Sequence, residues 1–279
     1  MNNSFLLDFL LWLKGKVETA LLVTTAGRTT NEMIEKALKT ADELNLSYIS
    51  REKKTVKWLK EKYEQDILVV GKERMELFSL NSDQPFFFHP NSASFRMKRI
   101  LKGERDTFAE AAGLKKGMSF LDCTLGMGSD SIIASHTVGM EGEVKGIEAS
   151  LPISYLVKQG LKVWDSGVME MDAAMKRIEV VHSRAIDYLK SLEDNSFDTV
   201  YFDPMFEEPI EDSAGISTLR KWAVYQRIDK ETVGEAVRVA KGRVILKEHY
   251  NSPLFEELGF YVNKRPSAKF QYGTISINE

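Results

Sequence analysis

The sequence predicts an α/β protein: a mostly parallel sheet covered by helices on both faces and closed by a C-terminal antiparallel hairpin, preceded by a small α/β N-terminal domain. Three observations carry this. Apolar runs rich in β-branched residues alternate with stretches of helical spacing along the whole chain. After residue 117 the strand–helix steps follow one another without a break, which demands a parallel sheet buried on both faces. Beyond residue 258 the pattern changes to two strand-like segments about a basic turn, which reads as a hairpin.

With 279 residues, 43% of them hydrophobic, the chain can build a sizeable core. Lysine and arginine number 38 against 41 acidic residues, a net charge of -3, so any polyanion must be met by a local patch. Cys123 is the only cysteine. That excludes an intramolecular disulfide and a cysteine-rich zinc site, and fits a cytoplasmic protein. The opening "SFLLDFLLWLKGK" has no preceding positive charge, is interrupted by Asp8 and is too short to span a bilayer. It reads as an amphipathic helix packed on the body or on a second subunit, so a homodimer is one arrangement it allows.

The first domain is expected over residues 1–82. "ETALLVTTA" predicts a strand. Met33, Ile34, Ala37, Leu38, Ala41 and Leu44 recur at helical spacing behind a threonine cap, predicting a helix. "SYIS" predicts a short strand, "KTVKWLKEKYEQ" a helix, and "DILVVGKE" with "RMELFSL" a strand pair. "NSDQP", rich in turn formers, is the linker.

The second domain, residues 83–279, opens with "FFFHPNSASFRMKRILKGERDTFAEAAGLKKG". Between Arg96 and Lys116 seven basic residues stand against three acidic ones, the densest basic stretch of the chain. Charge alone reads there as a solvated helix face. Strands then follow at "MSFLDCTL", "EVKGIEAS", "RIEVVHSRA" and "FDTVYFDP", separated by helices at "SDSIIASHTV", "PISYLVKQGLKVW" and "AIDYLKSL". The helix "KETVGEAVRVAK" leads to the strand "GRVILKEHY", and "GFYVNKR" with "AKFQYGTISIN" makes the hairpin.

"FLDCTLGMGSD" follows a strand and opens a helix, the context that gives a glycine motif meaning. Gly126 and Gly128 let the backbone turn tightly and approach a ligand. Asp122 at the strand end can accept from an ammonium group, and Asp130 on the first helical turn can cap free N–H groups. Twenty residues past Gly128 a strand ends on Glu148, whose carboxylate can take both hydroxyls of a ribose. A dinucleotide would want a third glycine and a loop free of carboxylates. Thr124 stands where a glycine would, and Asp122 and Asp130 flank the loop, so the pattern suits a cationic ligand and argues against an NAD-dependent oxidoreductase.

"FDTVYFDPMF" places Asp203 at the end of the fourth strand, at the edge where open α/β sheets gather their ligands. Pro204 has no N–H, so the turn offers acceptors rather than donors. An aromatic amine suits such a turn. Asp203 and the Pro204 carbonyl could hold its two N–H groups while Phe206 stacks on the ring, with catalysis by positioning and electrostatics. This chemistry calls for no metal. His182, at the end of the third strand, is given no role.

These residues resemble the class I S-adenosylmethionine-dependent methyltransferases, which implies a Rossmann-like sheet and S-adenosyl-L-methionine as cofactor. By that resemblance Asp122 and the loop from Gly126 to Asp130 face the methionine part, Glu148 the ribose, and Ser183 and Arg184 the adenine. "D-P-M-F" is similar to the (N/D)-P-P-(Y/F) motif of amino-methyltransferases. A closer resemblance, over residues 86 to about 250, is to the ribosomal RNA small subunit methyltransferase J family, through "DCTLGMGSD", "VVHSRA", "YFDPMF" and "RVILKEH". It implies guanine N2 methylation in 16S rRNA, with the 30S subunit as partner. Cofactor contacts then fall on Ser129, Asp130, Glu148, Ala149, Arg184, Ala185 and Asp203. It also assigns Arg96, Lys98, Arg99, Lys102 and Arg105 to phosphate contacts. The chain departs from the family at Ser129 and Ala149, where arginine is frequent, at Arg184, where serine is common, and at Glu207, where proline follows the motif. A methyltransferase of small-molecule or protein amines is the alternative enzyme, and a cofactor-binding protein without catalysis the alternative outside enzymes. The acidic "EEPIEDS" after Phe206 would repel phosphate unless it turns away or acts as a lid.

Overall fold

The computed structural model describes residues 21–204, 222, 224, 228–263 and 268–277. The expected N-terminal helix, Phe206 and the acidic loop lie outside the described residues. Contacts divide the chain into two compact units that part between Phe87 and Phe88, where the linker expectation set the division at 82/83.

In the first unit β1 (Leu21–Thr25) is flanked by β2 (Ser47–Tyr48) and β3 (Asp66–Val70), both parallel to it, and β4 (Met75–Phe78) closes the edge antiparallel to β3. Helix α1 (Asn31–Leu44) begins where the Thr30 hydroxyl accepts from Met33 N at 3.3 Å and stops at Asn45 in the left-handed region, φ 53°. Helix α2 (Val56–Tyr63) carries a buried lysine. The Lys60 ammonium donates to the carbonyls of Ser79 and Ser82 at 3.2 and 2.8 Å and to Asp83 at 3.1 Å. Three acceptors replace its lost hydration, and they fasten the "NSDQP" segment to this unit. Phe86 then pairs with Leu77.

The second unit begins with α3 (Asn91–Ile100) and the short α4 (Thr107–Ala111). Strands β5 (Ser119–Asp122), β6 (Glu143–Glu148), β7 (Glu179–His182) and β8 (Phe197–Phe202) are mutually parallel where they pair. With β9 (Ala240–His249), β10 (Tyr261–Val262) and β11 (Phe270–Ser276) they form a seven-stranded sheet in the order β10-β11-β9-β8-β5-β6-β7. β9 is parallel to β8, and β11 runs antiparallel to both β9 and β10, so the hairpin inserts its second strand next to the sheet.

The connecting helices are α5 (Ser129–Val138), α6 (Leu151–Val163), α7 (Met169–Lys176), α8 (Ala185–Ser191), α9 (Lys230–Val239) and the short α10 (Leu254–Glu257). Some elements differ from expectation, among them α10, which the sequence did not assign. The segment 169–176 is a helix the sequence reading left unassigned, and it covers α5 through Ser135 Oγ, which donates to the Ala174 carbonyl at 2.7 Å. Under that cover Ile132, Ile133 and Ala134 of α5 are fully buried. β9 starts at Ala240 directly after α9, two residues before the expected strand, and the register with β8 shifts between Phe197 and Thr199. An irregularity of this kind lets helix pass into strand without a loop.

The switch in strand order lies at β5, whose neighbours are β6 and β8. A crevice opens outside the carboxyl ends of the strands at such a point, and the ends of β5, β6 and β8 carry Asp122, Glu148 and Asp203.

Candidate active site

Residues 123–128 leave β5 and turn into α5. Cys123 N bonds to the Tyr201 carbonyl at 2.9 Å and Leu125 N to the Ile147 carbonyl at 3.0 Å, so the loop is stitched to both neighbouring strands. Gly126 (φ 50°) and Gly128 (φ 72°) adopt the left-handed backbone, which costs a residue with a Cβ about 1–2 kcal/mol. A Cβ on Gly146 of β6 would stand 2.4 Å from Leu125 Cδ1, so the small residue there gives the loop its seat.

Asp122 is buried, and both of its oxygens are engaged: Oδ1 accepts from Thr124 N at 3.0 Å and Oδ2 from the Ser131 hydroxyl at 2.6 Å. It braces the loop from below. No cation is bonded to it among the described residues, and burial pushes its pKa up to about 7. Glu148 accepts from Gly126 N at 3.2 Å and from Ser150 N at 2.8 Å, which ties the second strand end to the glycine loop. Burial raises its pKa as well, against the pull of those N–H groups. Ser183 N bonds to the Glu148 carbonyl at 3.1 Å, and His182 Nε2 lies 3.1 Å from the Ala149 carbonyl. Ala149, Ser183 and Ala185 thus stand at the ends of adjacent strands, with Arg184 exposed and paired to Asp187 at 3.7 Å.

The other half of the crevice is built from charges. Asp203 N donates to the Thr124 hydroxyl at 2.6 Å, which fixes the Asp–Pro turn beside the glycine loop. Asp203 Oδ2 accepts from Lys247 Nζ at 2.6 Å, and the same ammonium reaches Asp130 Oδ2 at 3.4 Å. Asp130 also takes the Arg96 guanidinium on Oδ1 at 2.5 Å and the Tyr201 hydroxyl on Oδ2 at 2.7 Å. Burial penalises the Asp130 charge, yet Lys247, Arg96 and Tyr201 outweigh it and hold the carboxyl down at about 2. Burial raises Asp203; Lys247 opposes that rise and the Asp130 charge adds to it. With the Lys247 ammonium at 2.6 Å and 27% of its side chain open to water, Asp203 is held as the carboxylate of an ion pair.

Arg96 sits elsewhere than at a phosphate. Its guanidinium forms a fork on Asp106, with both bonds at 2.9 Å, as well as the contact to Asp130. Lys98, Arg99, Lys102 and Arg105 are exposed; Arg99 pairs with Glu104 at 2.6 Å and Arg105 with Glu110 at 3.4 Å. Lys247, Tyr201 and Ser131 escaped the sequence reading. Lys247 carries no local signal: only the parallel pairing of β9 beside β8, with Leu246 opposite Phe202, brings it level with Asp203 one residue further on.

The residues present suit S-adenosylmethionine. The glycine loop turns through left-handed backbone that a residue with a Cβ adopts only under strain, and Glu148 offers a carboxylate beside it. Uncompensated carboxylates favour a cationic ligand over a pyrophosphate.

Similarities to known proteins agree with this. A Bacillus subtilis (strain 168) relative named "Uncharacterized protein YpiP" is 49% identical over 257 residues, covering 92% of this chain and all of the relative. "Ribosomal RNA small subunit methyltransferase J" of Legionella pneumophila (strain Philadelphia 1) is 29% identical over 187 residues, 67% of this chain and 68% of its own. The crystal structure of the SAM-dependent methyltransferase NGO1261 from Neisseria gonorrhoeae shares the fold, with a TM-score of 0.62 at 15% identity over 92% of this chain and 96% of that one. Residues 51–267 match the family model described as "Putative SAM-dependent methyltransferase". A glycine cradle between two strand-end carboxylates, the class I strand order and a family match over most of the chain converge on one conclusion: this chain belongs to the S-adenosylmethionine-dependent methyltransferases.

Proposed function

We propose that this methyltransferase acts on an exocyclic amine of a nucleobase, with guanine N2 of 16S rRNA in the 30S subunit as its substrate and the cytoplasm as its place of action. The observation that carries the reading is Asp203. It stands at the end of the strand beside the glycine cradle, tethered to the loop by the 2.6 Å bond from its N–H to the Thr124 hydroxyl. It is followed by a residue that can only accept hydrogen bonds.

An exocyclic aromatic amine has two N–H groups and a lone pair spread into the ring. Holding both hydrogens with acceptors turns the lone pair out of the ring plane and toward the methyl donor. Asp203 and the Pro204 carbonyl are such a pair of acceptors, and the carboxylate stabilises positive charge as it develops on nitrogen. The cofactor, when bound, would supply an electrophilic methyl group, its C–S bond breaking to a thioether as the N–C bond forms, and Asp203 would accept the proton that the nitrogen sheds. In this reading Glu148 holds the ribose of that cofactor and the loop from Gly126 through Ser129 to Asp130 its methionine part, with Ala149, Arg184 and Ala185 around the nucleoside.

RNA as the partner is supported by exposed Lys98, Arg99, Lys102 and Arg105 on and after α3, a helix whose Arg96 is anchored to the site itself. Phosphate contacts of this kind fix an RNA without reading its sequence. The named Legionella relative is a ribosomal RNA methyltransferase, which points the same way. Among the described residues no helix is long and apolar enough to cross a membrane.

The test is transfer of a tritiated methyl group from S-adenosylmethionine to 30S subunits lacking endogenous modification. Label in 16S rRNA is the expected result. Cofactor binding without label in RNA would overturn the substrate and leave the enzyme class standing.

A further inference from the structure

We infer that Lys247 is a positioning residue for methyl transfer: its ammonium takes Oδ2 of Asp203 and leaves Oδ1 as the single carboxylate acceptor for the substrate amine. The inference rests on the reading of Asp203 given above and adds a residue to it.

The geometry carries the argument. Parallel pairing of β8 and β9 sets Leu246 opposite Phe202, so Asp203 and Lys247 emerge level at the carboxyl edge of the sheet. Lys247 Nζ lies 2.6 Å from Asp203 Oδ2 and 3.4 Å from Asp130 Oδ2. The Phe270 ring, its centroid 5.1 Å away, covers a third side. Only 17% of the lysine side chain is exposed. Among the described residues no hydrogen bond is made to Asp203 Oδ1.

Such an arrangement does two things. It keeps the carboxylate from rotating, because one oxygen is pinned from the neighbouring strand and the backbone N–H is pinned to Thr124. It also separates two acids that lie within 3.4 Å of one nitrogen; without the ammonium one of them would take up a proton to relieve the repulsion. A protonated Asp203 would turn a donor toward the substrate amine. The site needs an acceptor there, and Lys247 keeps it one.

The charged and titratable groups around the ammonium come from every neighbouring element: Asp203 after β8, Asp130 on α5, Tyr201 on β8, Tyr272 on β11 and, through Asp130, Arg96 on α3. Both tyrosines are held well above their ordinary range by burial, so they stay neutral and the balance lies with the two acids and the two bases.

The experiment compares wild type with Lys247→Met and Lys247→Arg. The first readout needs no substrate: 13C NMR titration of the aspartate carboxyls. In Lys247→Met the Asp130–Asp203 pair is expected to take up its first proton about one pH unit or more above the wild-type position, and in Lys247→Arg to stay near it. The second readout is kinetic. In Lys247→Met kcat for RNA should fall by about tenfold or more while Kd for S-adenosylmethionine changes by less than about twofold, and Lys247→Arg should recover part of the rate. If Lys247→Met does not fold, Lys247→Gln carries the same comparison. An unmoved titration, or a loss of cofactor affinity as large as the loss of rate, would overturn the inference. A wild-type protein that transfers no label to RNA would overturn the substrate reading instead and leave the titration to judge Lys247.

Discussion

The two halves of the crevice treat buried carboxylates in opposite ways. On the cofactor side Asp122 and Glu148 are satisfied by neutral groups: the N–H of Thr124, Gly126 and Ser150 and the Ser131 hydroxyl. On the other side Asp130 and Asp203 are satisfied by Lys247 and Arg96. Neutral donors orient a carboxylate without cancelling its charge, so burial wins and both acids are pushed up. Cations oppose that push: Asp130, held by both Lys247 and Arg96, is driven down, whereas Asp203, paired with Lys247 beside the Asp130 charge, is still raised. The difference teaches where a ligand's charge belongs. The first half is electrostatically incomplete and is completed by a cationic cofactor; the second is balanced within the protein and needs only hydrogen-bond partners.

The contrast can be broken hardest at Asp203. Asp203→Ala removes the acceptor and should lower methyl transfer by about 10³-fold, since positioning and general-base terms are lost together. Calorimetric binding of S-adenosylmethionine should persist. Equal loss of both would mean that the residue serves the loop alone.

Asp122 and Asp130, one from each half, should respond to pH with opposite signs. Asp122 has a folded-state pKa near 7, above its ordinary 3.8, so the native state holds a proton that the unfolded chain has lost. Its contribution to stability therefore falls as pH rises from about 4 to 7, by up to ~4 kcal/mol. Asp130 sits near 2, below its ordinary 3.8, so its contribution is present above about pH 4 and is lost as pH falls toward 2. Chemical denaturation across this range should find the first slope missing in Asp122→Asn and the second missing in Asp130→Asn.

Smaller effects sharpen the picture. Glu148→Gln keeps the shape of the side chain and removes the charge, and should weaken S-adenosylmethionine binding by about tenfold. Lys98→Ala with Lys102→Ala should leave cofactor binding alone and reduce the slope of log affinity for RNA against log salt by about 1.4, two phosphate contacts on a single strand. An unchanged slope would move the RNA to another face.

Much of the fold was legible because local patterns agree with it. The helix over "SDSIIASHTV" falls where the glycine turn before it and the strand after it bound it, and the strand ending on Glu148 is recovered to the residue. The helix at 169–176 was missed, since "MEMDAAMK" has a weak apolar face and a Val168 entry without a capping side chain. In the site, residues on one strand end or one loop could be read directly. Lys247 and Tyr201 could not, for their roles depend on which strands become neighbours; Ser131, close in sequence to the Asp122 it bonds, carries no motif that marks it. Arg96 illustrates the converse: it was grouped with surface cations by its position in a basic run, but its fork on Asp106 and bond to Asp130 turn it inward. Charge runs do not reveal which members a distant carboxylate will claim.

The most direct test of the central claim is nucleoside mass spectrometry of 16S rRNA after methylation by the wild-type protein and by Asp203→Ala. The account expects N2-methylguanosine with the first and none with the second. A methyl group on a ring carbon or a ribose oxygen would contradict the role given to Asp203 and the Pro204 carbonyl.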